Sequence, residues 1–174
     1  MTAEATPHHL MLDHSEVERM NPDAKMYPPL RGPDDVRAVR QALVDGTIDV
    51  VATDHAPHAA HEKDVPFEDA PRGILGLETA AAVTNTAVDL DPMEFFSRMS
   101  VGPAQIAGFV DQGRWTEVGC PANLMVFDPK PTWTPEVFVS RAENSPFVGR
   151  SLRVRVVATM YQGRVTFRDG KVQR

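Results

Sequence analysis

The stretch that decides the fold is Ile48-Asp49-Val50-Val51-Ala52-Thr53-Asp54-His55-Ala56-Pro57-His58. Its first half is an apolar run bounded by Gly46 on one side and Pro57 on the other. A continuous Val/Ile run of this length suits a strand covered on both faces, as in parallel sheets. Its second half delivers a carboxylate and two imidazoles to the strand's carboxyl end. Ligands and catalytic groups gather at that end because the loops vary there while the strands hold position. A carboxylate so placed can bind a metal or take a proton from metal-bound water. An Asp that merely turns the chain and caps a helix is the plainer reading, and for an isolated Asp-His pair it has the better claim. The surrounding sequence decides between them.

Upstream, Gly32-Pro33-Asp34-Asp35 opens a helix: proline is tolerated at the first position and the acids oppose the positive dipole end. Val36, Val39 and Leu43 then recur on one face, and Gly46 ends the helix. Helix, tight turn and buried strand make an α/β unit. Before it, Ala3-Glu4-Ala5-Thr6 reads as a short strand that His8-His9 follow, with at most one of the two imidazoles facing the Asp54 side. Residues 55–73 form a long polar loop, a length usually reserved for function. Ile74 to Val88 reads as a helix. Asp91-Pro92 caps another through Met99, and Gly102-Pro103 starts a short one ending near Gly108. Beyond about Arg114 the chain turns β-rich. Asn123–Phe127 is a strand ending at Asp128-Pro129, and Arg153–Tyr161 and Arg164–Phe167 are two more. Asp169-Gly170 is a hairpin turn before Lys171-Val172. The expected division is 1–113 for the α/β part and 114–174 for the β tail.

The 174 residues carry 42% hydrophobic and 24% charged side chains and a net charge of -6. That balance belongs to an ordinary globular domain and opposes a nucleic-acid surface, which needs clustered excess Lys and Arg. No apolar run approaches the roughly 20 residues that span a bilayer. The first residues lack the basic and apolar segments of a secretory signal. Cys120 is the single cysteine, so no intrachain disulfide forms, a cytoplasmic location is expected, and the thiol reads as structural. All six histidines lie within the first 61 residues. His14 and His61 read as solvated. His58, stiffened by Pro57, can hydrogen-bond a substrate oxygen. The spacing of Asp54, His55 and His58 matches no helical zinc motif, so a self-contained metal site is not expected.

Taken together, several segments resemble one family. Thr6-Pro7-His8-His9-Leu10, Pro28-Pro29-Leu30-Arg31, Asp45-Gly46-Thr47-Ile48-Asp49, Ala52-Thr53-Asp54-His55-Ala56-Pro57-His58, Glu62-Lys63 and Gly73-Ile74-Leu75-Gly76-Leu77-Glu78-Thr79 stand in the order and spacing of zinc-dependent dihydroorotases of the amidohydrolase superfamily. In the tail, Gly119-Cys120-Pro121-Ala122-Asn123-Leu124 and Asn144-Ser145-Pro146-Phe147 are similar to that family's strand and turn. The resemblance implies the C-terminal portion of a (β/α)₈ TIM-type barrel, incomplete in this chain, followed by strands of a small β-sandwich. It implies reversible conversion of N-carbamoyl-L-aspartate to L-dihydroorotate in pyrimidine biosynthesis. Asp54 would be a metal ligand and the proton shuttle, while His58, Arg72 and Gly73 would bind substrate. Tyr27 stands where the family often has a substrate-contacting Asn, which leaves the exact cyclic amide open. Zinc is the implied cofactor, with its other ligands upstream of Met1. His8 and His9 are assigned a structural role.

A barrel takes at least about 200 residues, so the chain reads as a fragment, inactive and aggregation-prone alone. Hydantoinase-type or allantoinase-type activity remains an alternative, as does a non-catalytic scaffold. Implied partners are a small-molecule substrate, a second copy, or aspartate transcarbamoylase.

Overall fold

The computed structural model describes residues 1–173. Strand β1 (Glu4–Ala5) pairs in parallel with β2 (Val50–Val51), Glu4 facing Val50 and Ala5 facing Val51. A parallel pair requires a crossover, supplied here by α1 (Pro7–Met11), α2 (Ser15–Glu18) and the long α3 (Pro33–Asp45). Helix α3 begins and ends where its sequence dictates. Pro33 occupies the first turn, the Asp35 carboxylate accepts the Gly32 N–H at 3.2 Å, and Gly46 closes it at φ +85°. The expected strand 48–53 is trimmed to Val50–Val51 because β1 offers only two residues for pairing. The α/β part is thus an open portion of a barrel, two parallel strands with helices outside and no closure.

His8 and His9 depart from the sequence reading. They lie within helix α1 rather than after a strand that would alternate them. Thr6 caps that helix, its hydroxyl accepting the His9 N–H at 3.3 Å, and Pro7 fills the first turn.

Helix α4 (Ala60–Lys63) is the single turn of helix in the loop after β2. The helix expected from Ile74 is shorter, with α5 spanning Ala80–Ala87. Ile74 is drawn instead into a parallel bridge with His55. The two helices expected at 91–99 and 102–108 are one continuous helical run. α6 (Pro92–Phe96) passes through a π-helical turn at Ser97–Val101 into α7 (Gly102–Ala107). Pro103 has no N–H and would clash with the carbonyl of residue 99 in a regular helix. The wider turn, in which the Gly102 N–H reaches the Ser97 carbonyl, absorbs it.

The tail is a four-stranded antiparallel sheet in the order β3 (Leu124–Trp133), β4 (Leu152–Tyr161), β5 (Arg164–Arg168), β6 (Lys171–Val172). β3 does not stop at Asp128-Pro129. Its pairing with β4 shifts between Asp128 and Thr132, a bulge that lets the two prolines leave the ladder. Opposite the bulge Val154 sits at φ +57°, an outlier for a β-branched residue, held by burial and by the Trp133 indole N–H donating to its carbonyl at 2.6 Å.

One buried cluster runs across both parts, joining Leu12, Met26, Leu30, Ile74 and Val83 to Phe147, Leu152 and Val154. Polar ties reinforce it. Arg150 pairs with Glu16 at 2.7 Å, and the Glu78 carboxylate accepts the N–H groups of Val139 and Ser140 at 2.8 and 3.0 Å.

Candidate functional site

The rim beyond β2 is organised by two stems of one loop. Asp54 takes a left-handed backbone, φ +47°, and its side chain is exposed; Asp is among the few residues that accept this conformation readily. The chain then runs alongside residues 73–76. The Ala56 N–H donates to the Ile74 carbonyl at 2.8 Å, and the Gly76 and Leu77 N–H groups donate to His55 Nδ1 at 3.1 and 3.3 Å. Nδ1 of His55 is therefore an acceptor, and its ring proton lies on Nε2.

Four of the expected site residues, His58, Arg72, Gly73 and Tyr27, cluster together. His58 Nε2 donates to the Arg72 carbonyl at 2.8 Å, and its Nδ1 stands 3.6 Å from Glu62. Gly73 follows at φ +118°, and a Cβ there would fall 2.5 Å from Ala56 Cβ. Only glycine allows that conformation and approach together. Tyr27, exposed, lies under the Arg72 guanidinium, which sits 4.8 Å from its ring centre, a cation–π arrangement. Asp54 joins this group through the chain and the His55–Ile74 bridge.

Other residues that sequence reasoning gave no role hold the loop. Lys63 is buried and donates to the Pro22 and Pro71 carbonyls at 3.0 and 2.8 Å. Burial lowers its pKa, partly countered by Asp23, whose own carboxyl is pushed up by burial. Lys25 donates to the Phe67 and Glu68 carbonyls at 2.8 and 2.7 Å. The exposed Glu62 accepts the Ala59 N–H, which with nearby His58 and His61 holds its carboxyl below the usual range. The signal for a buried lysine is faint in any sequence, since a surface residue looks the same.

Among the histidines, His14 is exposed and 3.9 Å from Glu18, and His61 is exposed on α4. His9 bridges Thr6 Oγ1 at 2.6 Å and the Pro28 carbonyl at 2.9 Å. His8 is fully buried beside it, both ring nitrogens unpartnered, and burial followed by the neighbouring His9 lowers its pKa to about 3. Cys120 is partly exposed and far along the chain from the rim.

Among the described residues no three His, Cys, Asp or Glu side chains are placed to hold a metal ion. A catalytic zinc keeps three protein ligands and one open position. His55 Nδ1 and His58 Nε2 are already engaged with the backbone, so the donor set of these residues does not by itself fit such a metal. No described helix is long and apolar enough to cross a membrane.

The chain as a whole is similar to known proteins. The dihydroorotase of Mycobacterium tuberculosis is 50% identical over 179 residues, which cover 99% of this chain and 42% of that protein. The dihydroorotase of Streptomyces coelicolor is 46% identical over 178 residues, again 99% of this chain and 42% of that protein. The chain thus spans less than half the length of these relatives. Among solved structures, L-hydantoinase (dihydropyrimidinase) from Arthrobacter aurescens superposes with a TM-score of 0.92 at 27% identity, over 99% of this chain and 40% of that one. D-hydantoinase (dihydropyrimidinase) from Thermus sp. gives 0.87 at 28%, with the same coverage. The Amidohydrolase family profile matches residues 2–166, nearly the whole length, and the chain belongs to that family.

Proposed function

We propose that this chain is the rim-bearing part of a dihydroorotase, a hydrolase of cyclic amides that interconverts L-dihydroorotate and N-carbamoyl-L-aspartate. The observation that carries the reading is identity of up to 50% across 99% of the chain with proteins named dihydroorotase. The chemistry follows from the rim. As a water oxygen adds to the ring carbonyl, the Asp54 carboxylate accepts the water proton. As the carbonyl carbon–nitrogen bond breaks, it returns that proton to the leaving nitrogen. His58 holds the substrate carboxylate, and the backbone of Arg72 and Gly73 lines the substrate beside it. The free face of the His58 ring is Nδ1, so a bound carboxylate must share that nitrogen with Glu62 or displace it. Tyr27 braces Arg72 from below.

We assign Asp54 as one ligand of a zinc ion that side chains outside the described residues complete. Bound there, zinc would acidify the attacking water. The whole enzyme then closes the TIM-type barrel and works in the cytoplasm, in contact with a second copy or with aspartate transcarbamoylase.

The test is purification of the chain from its source with whatever polypeptide accompanies it, followed by parallel assays on dihydroorotate, hydantoin and allantoin. Dihydroorotate should be turned over fastest. Asp54→Asn should lower turnover about 10²- to 10⁴-fold, the usual weight of a general acid–base group, with an unchanged melting profile. Equal activity of the variant would remove Asp54 from the mechanism. Preference for hydantoin would favour the second reading, a hydantoinase, which the superposition on L-hydantoinase supports.

A further inference from the structure

We infer that Asn144, a residue of the β tail, is the positioning residue for His58. Asn144 is buried and uses its whole side chain. Its Oδ1 accepts the His58 N–H at 3.0 Å, and its Nδ2 donates to the Ala56 carbonyl at 3.0 Å and the Gly73 carbonyl at 3.1 Å. Its own carbonyl accepts the Leu75 N–H at 2.9 Å. The network fixes the amide orientation. A flipped amide would set its NH₂ against one N–H and its oxygen against two carbonyls.

These partners are the two stems of the rim loop. One stem leads from Asp54 to His58, and the other carries Arg72 and Gly73 to Ile74. Among the described residues the amide is the one side chain with hydrogen bonds to both stems, and it comes from a segment 86 residues away from His58. Since His58 Nε2 donates to the Arg72 carbonyl, locking the His58 backbone to Ala56 and Gly73 also sets where the imidazole stands. Three donor and acceptor bonds in a buried place act together, because each unpaired group would cost its full desolvation. Asn144 touches no expected substrate atom. It acts through His58, and this part of the inference rests on the dihydroorotase reading.

Asn144→Asp keeps shape and removes both donors, leaving an oxygen against the Ala56 and Gly73 carbonyls. The first measurement needs no substrate: amide hydrogen exchange on this chain within the purified assembly. Protection of the Ala56 N–H, which joins the two stems through the Ile74 carbonyl, should fall at least tenfold while that of Thr159 in the tail sheet holds. Unchanged Ala56 protection overturns the inference, as does uniform loss across the sheet, which would make Asn144 a general stabiliser. Should the variant not fold, the unsubstituted chain still decides. The Asn144 side-chain amide protons should exchange at least 100-fold more slowly than those of exposed Gln41, and equal rates overturn the clamp.

The second measurement is dihydroorotate turnover by the purified assembly. Asn144→Asp should raise KM at least tenfold with kcat within threefold, and should change KM no further in a His58→Ala background. An additive loss in that background overturns the route through His58. If the unsubstituted assembly does not turn over dihydroorotate, the proposed activity fails while the exchange experiment still judges the clamp.

Discussion

His8 makes this molecule sensitive to acid. Its ring is buried without a partner and its pKa is lowered to about 3 from 6.5. A lowered folded-state pKa means that the unfolded chain binds the proton more readily. The contribution of neutral His8 is therefore complete above pH 6.5 and drains away as pH falls toward 3. Urea unfolding at pH 7.5 and at pH 4.5 should show a clear loss at the lower pH, on the order of 2–3 kcal/mol at 1.36 kcal/mol per pH unit. His8→Leu should flatten that dependence, and an unchanged slope would assign it to other groups. Gly73 makes the complementary point about space. Gly73→Ala asks for a Cβ 2.5 Å from Ala56 Cβ at φ +118°. It should cost on the order of 1–3 kcal/mol, read as a shift in urea midpoint, and should break the His58–Arg72 contact.

At the scale of elements, Lys63 is the pin of the long loop. Lys63→Met keeps the stem but strips two half-buried carbonyls, those of Pro22 and Pro71, of their donor. The expected cost is about 1–3 kcal/mol, and limited proteolysis should nick residues 64–72 several-fold faster. Rates equal to the unsubstituted chain would show that Lys25 alone suffices. Elements also show how far the sequence could be read. α3 was legible because Gly32-Pro33-Asp34-Asp35 and Gly46 mark its ends with local chemistry. α1 was missed although Thr6-Pro7 is a start signal, because five residues are too few for periodicity. Ile74 was misread because bridging to His55 is a tertiary event, and the same apolar run fits helix or strand. The π turn at Ser97–Val101 needed the three-dimensional problem posed by Pro103. At the rim, Asp54, His58 and Gly73 were nameable from their motif. The hydrogen bonds of Asn144 and Lys63 connect segments far apart in the chain, and no local pattern records them.

The whole molecule exposes more surface than its size predicts. A compact monomer of 19.2 kDa has an accessible surface of about 8,400 Å², whereas this chain shows 10546 Å². The excess, about 2,000 Å², exceeds the roughly 800 Å² that one partner contributes to a standard interface. The open edges of β1 and β2, and exposed Phe109, Val110 and Ile106, are the places that invite association. Sedimentation of the 174-residue chain at micromolar concentration should therefore reveal oligomers or aggregates. A single monomeric boundary would show that these edges are tolerated in water.

Phe147, Leu152 and Val154 share their interior with Leu12, Ile74 and Val83. Anyone building hybrids from two relatives should exchange these six positions together, because a seam drawn between front and tail would join mismatched halves of one interior rather than two finished modules.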